Sequence, residues 1–146
     1  MEDFWLYKKH RRNVEYTSLN SKELIQIIDS KTLFKYCDSE DNSYNAMFDW
    51  SIIKPSFGFF FDFENNETII KERLGNSELN NTSYIYIETL TNIPIIKTKT
   101  DYFIKNWLDF VSANTGMGSF CITEDFKLLM EFTDDYKYFL LSNFSI

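Results

Sequence analysis

The sequence predicts an α+β fold, with an antiparallel sheet of about five to seven strands and two main helices. Three observations lead to it. The 146 residues suit one domain, spanning 1–146, with a hydrophobic core large enough to be stable without disulfides or metal ions. Aromatic residues make up 18% of the chain against four Gly and two Pro, which favours a sheet-rich fold. Short apolar runs near the C-terminus are separated by short polar turns.

The first half of the chain predicts strands around one helix. Residues 4–19 are expected to form one or two strands. Residues 20–37 follow as a helix with Ser21 as its cap and an apolar stripe of Leu24, Ile25, Ile28 and Leu33. The acidic stretch 38–45 is expected to be a loop, and "SFGFFFDF" (56–63) a buried strand.

The second half predicts two strands, a helix and a meander. "SYIYIET" and "IPIIKTK" are expected strands, preceded by an Asn-rich surface loop over 75–83. Residues 100–116 predict a helix with Thr100 as N-cap and Gly116 as its end. "GSFCITE", "FKLLMEF" and "YKYFLLSNF" then predict a C-terminal three-stranded antiparallel meander.

Charge and cysteine content narrow the functional class. The net charge of −7 disfavours direct binding of nucleic acid and favours a basic protein partner. Cys37 and Cys121 are too few and too distant for a disulfide framework or a zinc site, and Cys121 is expected to be a buried, inert thiol. No apolar run reaches the length of a membrane span or a signal peptide, so we expect a soluble, cytoplasmic protein without a membrane partner.

Motifs for catalysis or cofactor binding are missing. His10 is the only histidine, and in "KKHRR" it is expected to be solvated among cations rather than to act as a base. No Gly-x-Ser-x-Gly elbow occurs, and "GMGSF" lacks the third glycine and follows a helix instead of a strand. The sequence therefore predicts no catalytic residue, no metal and no cofactor.

Two acidic pairs stand at the turns of the predicted meander: Glu124-Asp125 and Asp134-Asp135. Acids at turns bond nearby backbone amides and stay solvated, and we expect that role first. A recognition surface is the second expectation, and the segment from Phe120 onward carries five acids, Glu131 included, against two lysines. The predicted partner-binding residues are Glu124, Asp125, Asp134 and Asp135, with Tyr136 as an aromatic anchor.

The C-terminal part of the chain resembles immunity proteins of bacterial polymorphic toxin systems, particularly those of contact-dependent growth inhibition. The resemblance covers roughly residues 100–144, through the helix with "NWLDF", a glycine-containing exit, "CITEDFKLLMEFTDD" and "YFLLSNF". It implies a cytosolic inhibitor that binds its cognate toxin domain tightly. Such toxins are often basic nucleases, which suits the charge of this chain.

The leading hypothesis is a non-enzymatic immunity protein that neutralises a basic toxin domain. One alternative is a carboxylate-dependent hydrolase, which needs two acids facing one cleft with opposed pKa shifts. Another is an accessory subunit of a larger assembly, which predicts a broad apolar patch.

Overall fold

The computed structural model describes residues 4–37, 46–62, 65–89, 93–113, 119–133 and 139–146. Within these ranges the chain forms helices and strands in mixed order. The helices are α1 Trp5–His10, α2 Ser21–Lys31, α3 Glu67–Gly75, α4 Thr100–Lys105 and α5 Trp107–Ser112, together with a 3-10 helix at Glu78–Asn81. The strands are β1 Val14–Tyr16, β2 Phe57–Phe59, β3 Tyr84–Ile87, β4 Ile96–Lys99, β5 Ser119–Thr123, β6 Leu129–Phe132 and β7 Leu140–Ser142.

The strands form one seven-stranded sheet in the order β1-β4-β3-β5-β6-β7-β2, and every pairing is antiparallel. The predicted α+β class is confirmed. The C-terminal meander is confirmed as well, because β5, β6 and β7 are consecutive in the chain and adjacent in the sheet. Strands β1 and β2 lie at the two edges.

Each face of the sheet carries its own core. Successive strand residues point to opposite faces, so Cys121 and Phe120 lie in different clusters. On one face Ile87, Cys121 and Met130 pack with buried residues of α1, α3, α4 and α5. On the other face Phe120 packs with α2 and with residues 46–53. Cys121 is buried as predicted, and burial raises the pKa of its thiol.

Helix α2 is confirmed over Ser21–Lys31, which is shorter than the predicted 20–37, and it has a different cap. Leu33, predicted to belong to its apolar stripe, lies beyond the helix and is 82% exposed. The Asn20 side chain accepts a hydrogen bond from the Glu23 backbone at 2.9 Å, and the Glu23 side chain accepts one from the Asn20 backbone at 3.0 Å. This is a capping box. Ser21, predicted as the cap, is the first helical residue and is buried. Leu24 and Ile28 form the buried stripe, as predicted.

Several other element predictions were wrong. Of the one or two strands expected within 4–19, one is present as β1, but residues 5–10 form α1 instead. In α1, Leu6 and His10 lie one turn apart and are both buried. The predicted helix over 100–116 breaks at Asn106 into α4 and α5, because the φ of −122° there is not helical. The N-cap position of α4 is occupied by Lys99 and not by Thr100, which was predicted.

The remaining differences concern strand burial and α3. The strand predicted within 56–63 exists as β2, but it is a half-exposed edge strand instead of a buried one. The pattern did not identify α3, and part of the expected loop over 75–83 is the 3-10 helix. The loop predicted at 38–45 and the helix end predicted at Gly116 lie outside the described residues. Within the described ranges, no helix combines the length and apolar character needed to cross a membrane.

Candidate protein-binding surface

The turn between β5 and β6 lies beside two tyrosines and a lysine of neighbouring strands. Glu124 forms an ion pair with Lys97, whose Nζ lies 2.8 Å from the carboxylate. The same Nζ lies 4.8 Å from the ring centroid of Tyr84 and 5.9 Å from that of Tyr86. We call this group, with Asp125 and Phe126 of the turn, the Tyr84 surface.

The register of the sheet brings these side chains together. Tyr86 is the direct cross-strand partner of Lys97, so their side chains share a face of the sheet. The Glu124 N–H donates to the Tyr84 carbonyl at 3.0 Å, which places Glu124 beside Tyr84. Tyr84 is 38% exposed, so the surface combines a solvent-facing aromatic ring with a fixed ion pair.

Phe126 holds an unusual backbone conformation within this turn. Its φ of 61° lies in the left-handed region, where a bulky side chain is rare. Its ring lies 6.1 Å from that of Tyr86, and the Lys31 ammonium lies 5.2 Å from its centroid. The Phe126 N–H donates to the Thr123 carbonyl at 2.8 Å, so this conformation closes the turn between β5 and β6.

Asp125 serves the turn itself. Its carboxylate accepts hydrogen bonds from the Thr123 hydroxyl at 2.7 Å and from the Lys127 N–H at 3.1 Å. Partial burial alone would raise the pKa of Asp125, but these hydrogen bonds and the charge of Lys127 outweigh it and lower the pKa. The expected turn role of Asp125 is therefore present, and Asp125 orients the backbone around Glu124.

The other predicted binding residues, Asp134, Asp135 and Tyr136, lie outside the described residues. Thr133 and Phe139, which flank this stretch, are joined by a backbone hydrogen bond of 2.9 Å at the Phe132 end of β6. The Glu124 turn precedes Leu129, at the opposite end of the same strand. The structure thus places the flanks of the two acidic turns at opposite ends of the meander.

Glu131 is not a surface acid, contrary to its place in the predicted acidic stretch. It is 1% exposed and lies on β6 between Met130 and Phe132. Its carboxylate accepts hydrogen bonds from the Met47 N–H at 2.6 Å, the Phe48 N–H at 3.2 Å and the Trp50 indole N–H at 2.9 Å. Glu131 therefore fastens the segment 46–50 to the sheet.

A second buried carboxyl, Glu88, lies near Glu131. The Glu88 N–H donates to the Phe120 carbonyl, and Phe120 is the cross-strand partner of Glu131. Burial raises the pKa of each carboxyl to about 7, and the charge of Glu131 contributes to the shift at Glu88. Both shifts are upward and have burial as their main cause.

His10 is buried, contrary to the expectation that it is solvated. Its Nε2 donates to Asp109 at 2.7 Å, and its Nδ1 lies 2.6 Å from the Tyr102 hydroxyl. Lys9 pairs with the same Asp109 carboxylate at 2.8 Å. Burial alone would raise the pKa of Asp109, but the hydrogen bonds from Lys9 and His10 outweigh it and lower the pKa.

This network ties α1 to α4 and α5. The His10 ring also stacks on Phe110 with centroids 5.3 Å apart. Both ring nitrogens have partners within the fold, which is the arrangement of a structural histidine. The i, i+4 spacing of Leu6 and His10 was the one signal in the sequence that could have revealed it.

Among the described residues, no group of three or more His, Cys, Asp or Glu side chains is placed to hold a metal ion. Comparisons with protein-family models, with curated proteins and with solved structures found no match.

Proposed function

We propose that this chain is a non-enzymatic immunity protein that binds a basic toxin domain, of the nuclease type, through the Tyr84 surface. The observation that carries the proposal is the solvent-exposed ring of Tyr84 held under the Lys97 ammonium, which is itself fixed by Glu124. An exposed aromatic residue in a fixed environment is the usual anchor of a protein interface. Fixing it in advance reduces the entropy lost on binding.

The charge of the chain supports a basic partner. The net charge of −7 attracts a cationic protein over the distance at which encounter complexes form. Glu124 is 48% exposed, but Lys97 balances its charge within the ion pair, so the long-range attraction comes from the net charge of the whole chain. The main role of Asp125 is to shape the turn. Asp134, Asp135 and Tyr136 remain predicted contacts, but the residues that flank them lie at the end of the meander opposite to Glu124, so they are not part of the Tyr84 surface.

The partner is first identified by capture. Tagged protein is incubated with bacterial lysate at low and at high salt, and bound proteins are identified by mass spectrometry. We expect one basic protein with a toxin domain, recovered in greater amount at low salt because the attraction of opposite charges is screened by salt.

Binding kinetics with the captured partner then test the surface. Tyr84→Ala should raise the Kd by about tenfold or more, mainly through faster dissociation, as expected for an interface anchor. Glu124→Gln should slow association at low salt and have little effect at high salt.

The matched controls are Trp5→Ala and Glu72→Gln. Trp5 is an exposed aromatic of α1, and Glu72 an exposed acid of α3, and both helices cover the opposite face of the sheet. If Tyr84→Ala and Glu124→Gln bind with the same rate constants as these controls, the Tyr84 surface is not the interface.

A further inference from the structure

Strand β2 forms an edge of the sheet that carries no charge. It pairs with β7 on one side, and no described strand pairs with its other side. From Pro55 to Phe61 the segment "PSFGFFF" has no charged residue, and Phe60 is 68% exposed. Proteins usually protect a free edge with charges, because its unpaired backbone groups bind other strands.

The other edge is protected in that way. Strand β1 carries Glu15 at its centre and follows Arg11 and Arg12, and all three are exposed. The Tyr7 ring of α1 lies 5.2 Å from the Tyr16 ring at the same edge. The β1 edge therefore carries charged residues that oppose the addition of another strand, and the β2 edge does not.

Backbone groups at the centre of β2 point outward. The Phe139 N–H donates to the Phe59 carbonyl at 2.9 Å, so the Phe59 backbone faces β7. Because consecutive residues of a strand direct their N–H and C=O groups to alternate sides, those of Gly58 face away from β7. Rings of Phe57, Phe59 and Phe61 stack in order on one face, 6.3 and 6.1 Å apart, which shows that the chain is extended through this segment.

We propose that β2 pairs with β2 of a second copy of this chain, antiparallel and centred on Gly58, to form a two-fold symmetric dimer. The two Gly58 residues then exchange N–H···O=C bonds, and Phe57 of each copy lies opposite Phe59 of the other. Lys54 precedes the segment and Asp62 follows it, and both are exposed. Antiparallel pairing about Gly58 places Lys54 of each copy at the same end of the paired strands as Asp62 of the other, although residues 53–55 form a bend and Asp62 also accepts a hydrogen bond from the Asn65 side chain.

This charge complementarity selects the second copy as the occupant of the edge. A strand flanked by opposite charges is self-complementary only in the antiparallel, two-fold arrangement. Pairing of β2 with β1 of a second copy would instead be head-to-tail and would build a closed ring of more than two copies or an open polymer. The occupant that fits the edge is thus another β2.

The first test is the oligomeric state, measured by light scattering after size exclusion over a wide range of concentrations. We expect a dimer whose dissociation constant rises severalfold in Phe60→Lys, because a lysine is placed on the edge of each copy. The matched control is Leu33→Lys. Leu33 is an apolar residue that is 82% exposed, but it follows α2 in the chain and is not part of the β2 edge. Lys54→Glu should weaken the dimer, and Lys54→Glu/Asp62→Lys should restore it.

The second test locates the two-fold axis by cross-linking in a Cys37→Ser background, where Cys121 is buried. Gly58→Cys should form a covalent dimer on oxidation, because hydrogen-bonded antiparallel partners have Cα atoms about 5.5 Å apart, within disulfide range. Phe60→Cys should not, because two residues 60 would lie about 13 Å apart along the strands.

Three results would overturn the proposal. A chain that is monomeric at every concentration excludes the dimer, and loss of partner capture in Phe60→Lys would then assign the edge to the partner protein. Polymers without a limiting size point to head-to-tail pairing. Equal cross-linking of Gly58→Cys and Phe60→Cys shows that the axis does not pass through Gly58.

Discussion

Glu131 is a buried carboxyl that makes the stability of the fold depend on pH. Its carboxylate receives three hydrogen bonds from the segment 46–50, yet burial still raises its pKa from 4.5 to about 7. Between these two pH values the unfolded chain binds fewer protons than the folded chain at this site. The contribution of Glu131 to the free energy of unfolding is therefore fully present below about pH 4.5 and is lost as the pH rises toward 7.

Glu131→Gln tests this coupling. In the wild type, the free energy of unfolding should fall by up to about 1.4 kcal/mol per pH unit for this group between pH 5 and 7. In the variant, the free energy of unfolding should fall less steeply with pH. Part of the fall that remains is due to Glu88, whose pKa is shifted in the same direction. Urea unfolding at a series of pH values from 5 to 8 measures both slopes. Glu72→Gln, at an exposed site of α3, should retain the wild-type slope, and an unchanged slope in Glu131→Gln would contradict the assignment.

Asp109 is the acceptor that the buried His10 requires. Asp109→Asn weakens the hydrogen bond to His10 and removes the negative charge between His10 and Lys9, so we expect a loss of about 1–3 kcal/mol in the free energy of unfolding at pH 7. The pKa of Asp109 is lowered in the fold, so its contribution is present above the ordinary value of 3.8 and disappears as the pH falls below it. Urea unfolding should show the difference between wild type and variant shrinking in acid. A constant difference down to pH 3 would be inconsistent with this role.

At the scale of elements, the cap of α2 gives a direct test. Asn20→Ala removes the side-chain acceptor of the Glu23 N–H and should cost about 1 kcal/mol of stability, measured by urea unfolding. Ser18→Ala, at a nearby exposed residue, is the control and should have little effect. If Asn20→Ala is as stable as the control, the capping box does not contribute.

Elements with a strong local pattern could be predicted from the sequence. The meander of β5, β6 and β7 and the apolar stripe of α2 follow from periodicity and turn residues alone. The helix at Trp5–His10 was missed because it depends on tertiary contacts, and the break at Asn106 was missed because a single local side-chain bond decides it. Asn106 bonds the Tyr102 carbonyl through its side chain, and α1 is held by the buried partners of His10.

The candidate site was predicted only in part, because its residues come from strands that are distant in the chain. Glu124 was found because acids at a turn are visible in sequence, but its partner Lys97 lies on a strand that is distant in the chain. Tyr84 carries no local signal that separates it from the buried aromatics. Glu131 stands inside the apolar run "LLMEF", and a lone acid in such a run is the pattern that indicates a buried carboxyl.

For the whole molecule, the two proposed contacts lie on separate parts of the sheet. The Tyr84 surface involves β3, β4 and the β5–β6 turn, whereas the dimer uses the outer edge of β2, beyond β6 and β7. A dimer paired through β2 would therefore present two copies of the Tyr84 surface. We expect two partner molecules per dimer, which light scattering of the purified complex can measure. A complex with one partner per dimer would show that the two contacts interfere.

The most direct test of the proposed function is protection of growing cells by the chain. The captured partner is expressed in bacteria alone, with the wild-type chain, and with Tyr84→Ala or Trp5→Ala at matched levels. We expect the partner alone to arrest growth, the wild type and Trp5→Ala to restore it, and Tyr84→Ala to restore it less. A partner that is harmless when expressed alone, or that remains toxic in the presence of the wild-type chain, would contradict the immunity function. Equal protection by Tyr84→Ala and Trp5→Ala would exclude the Tyr84 surface.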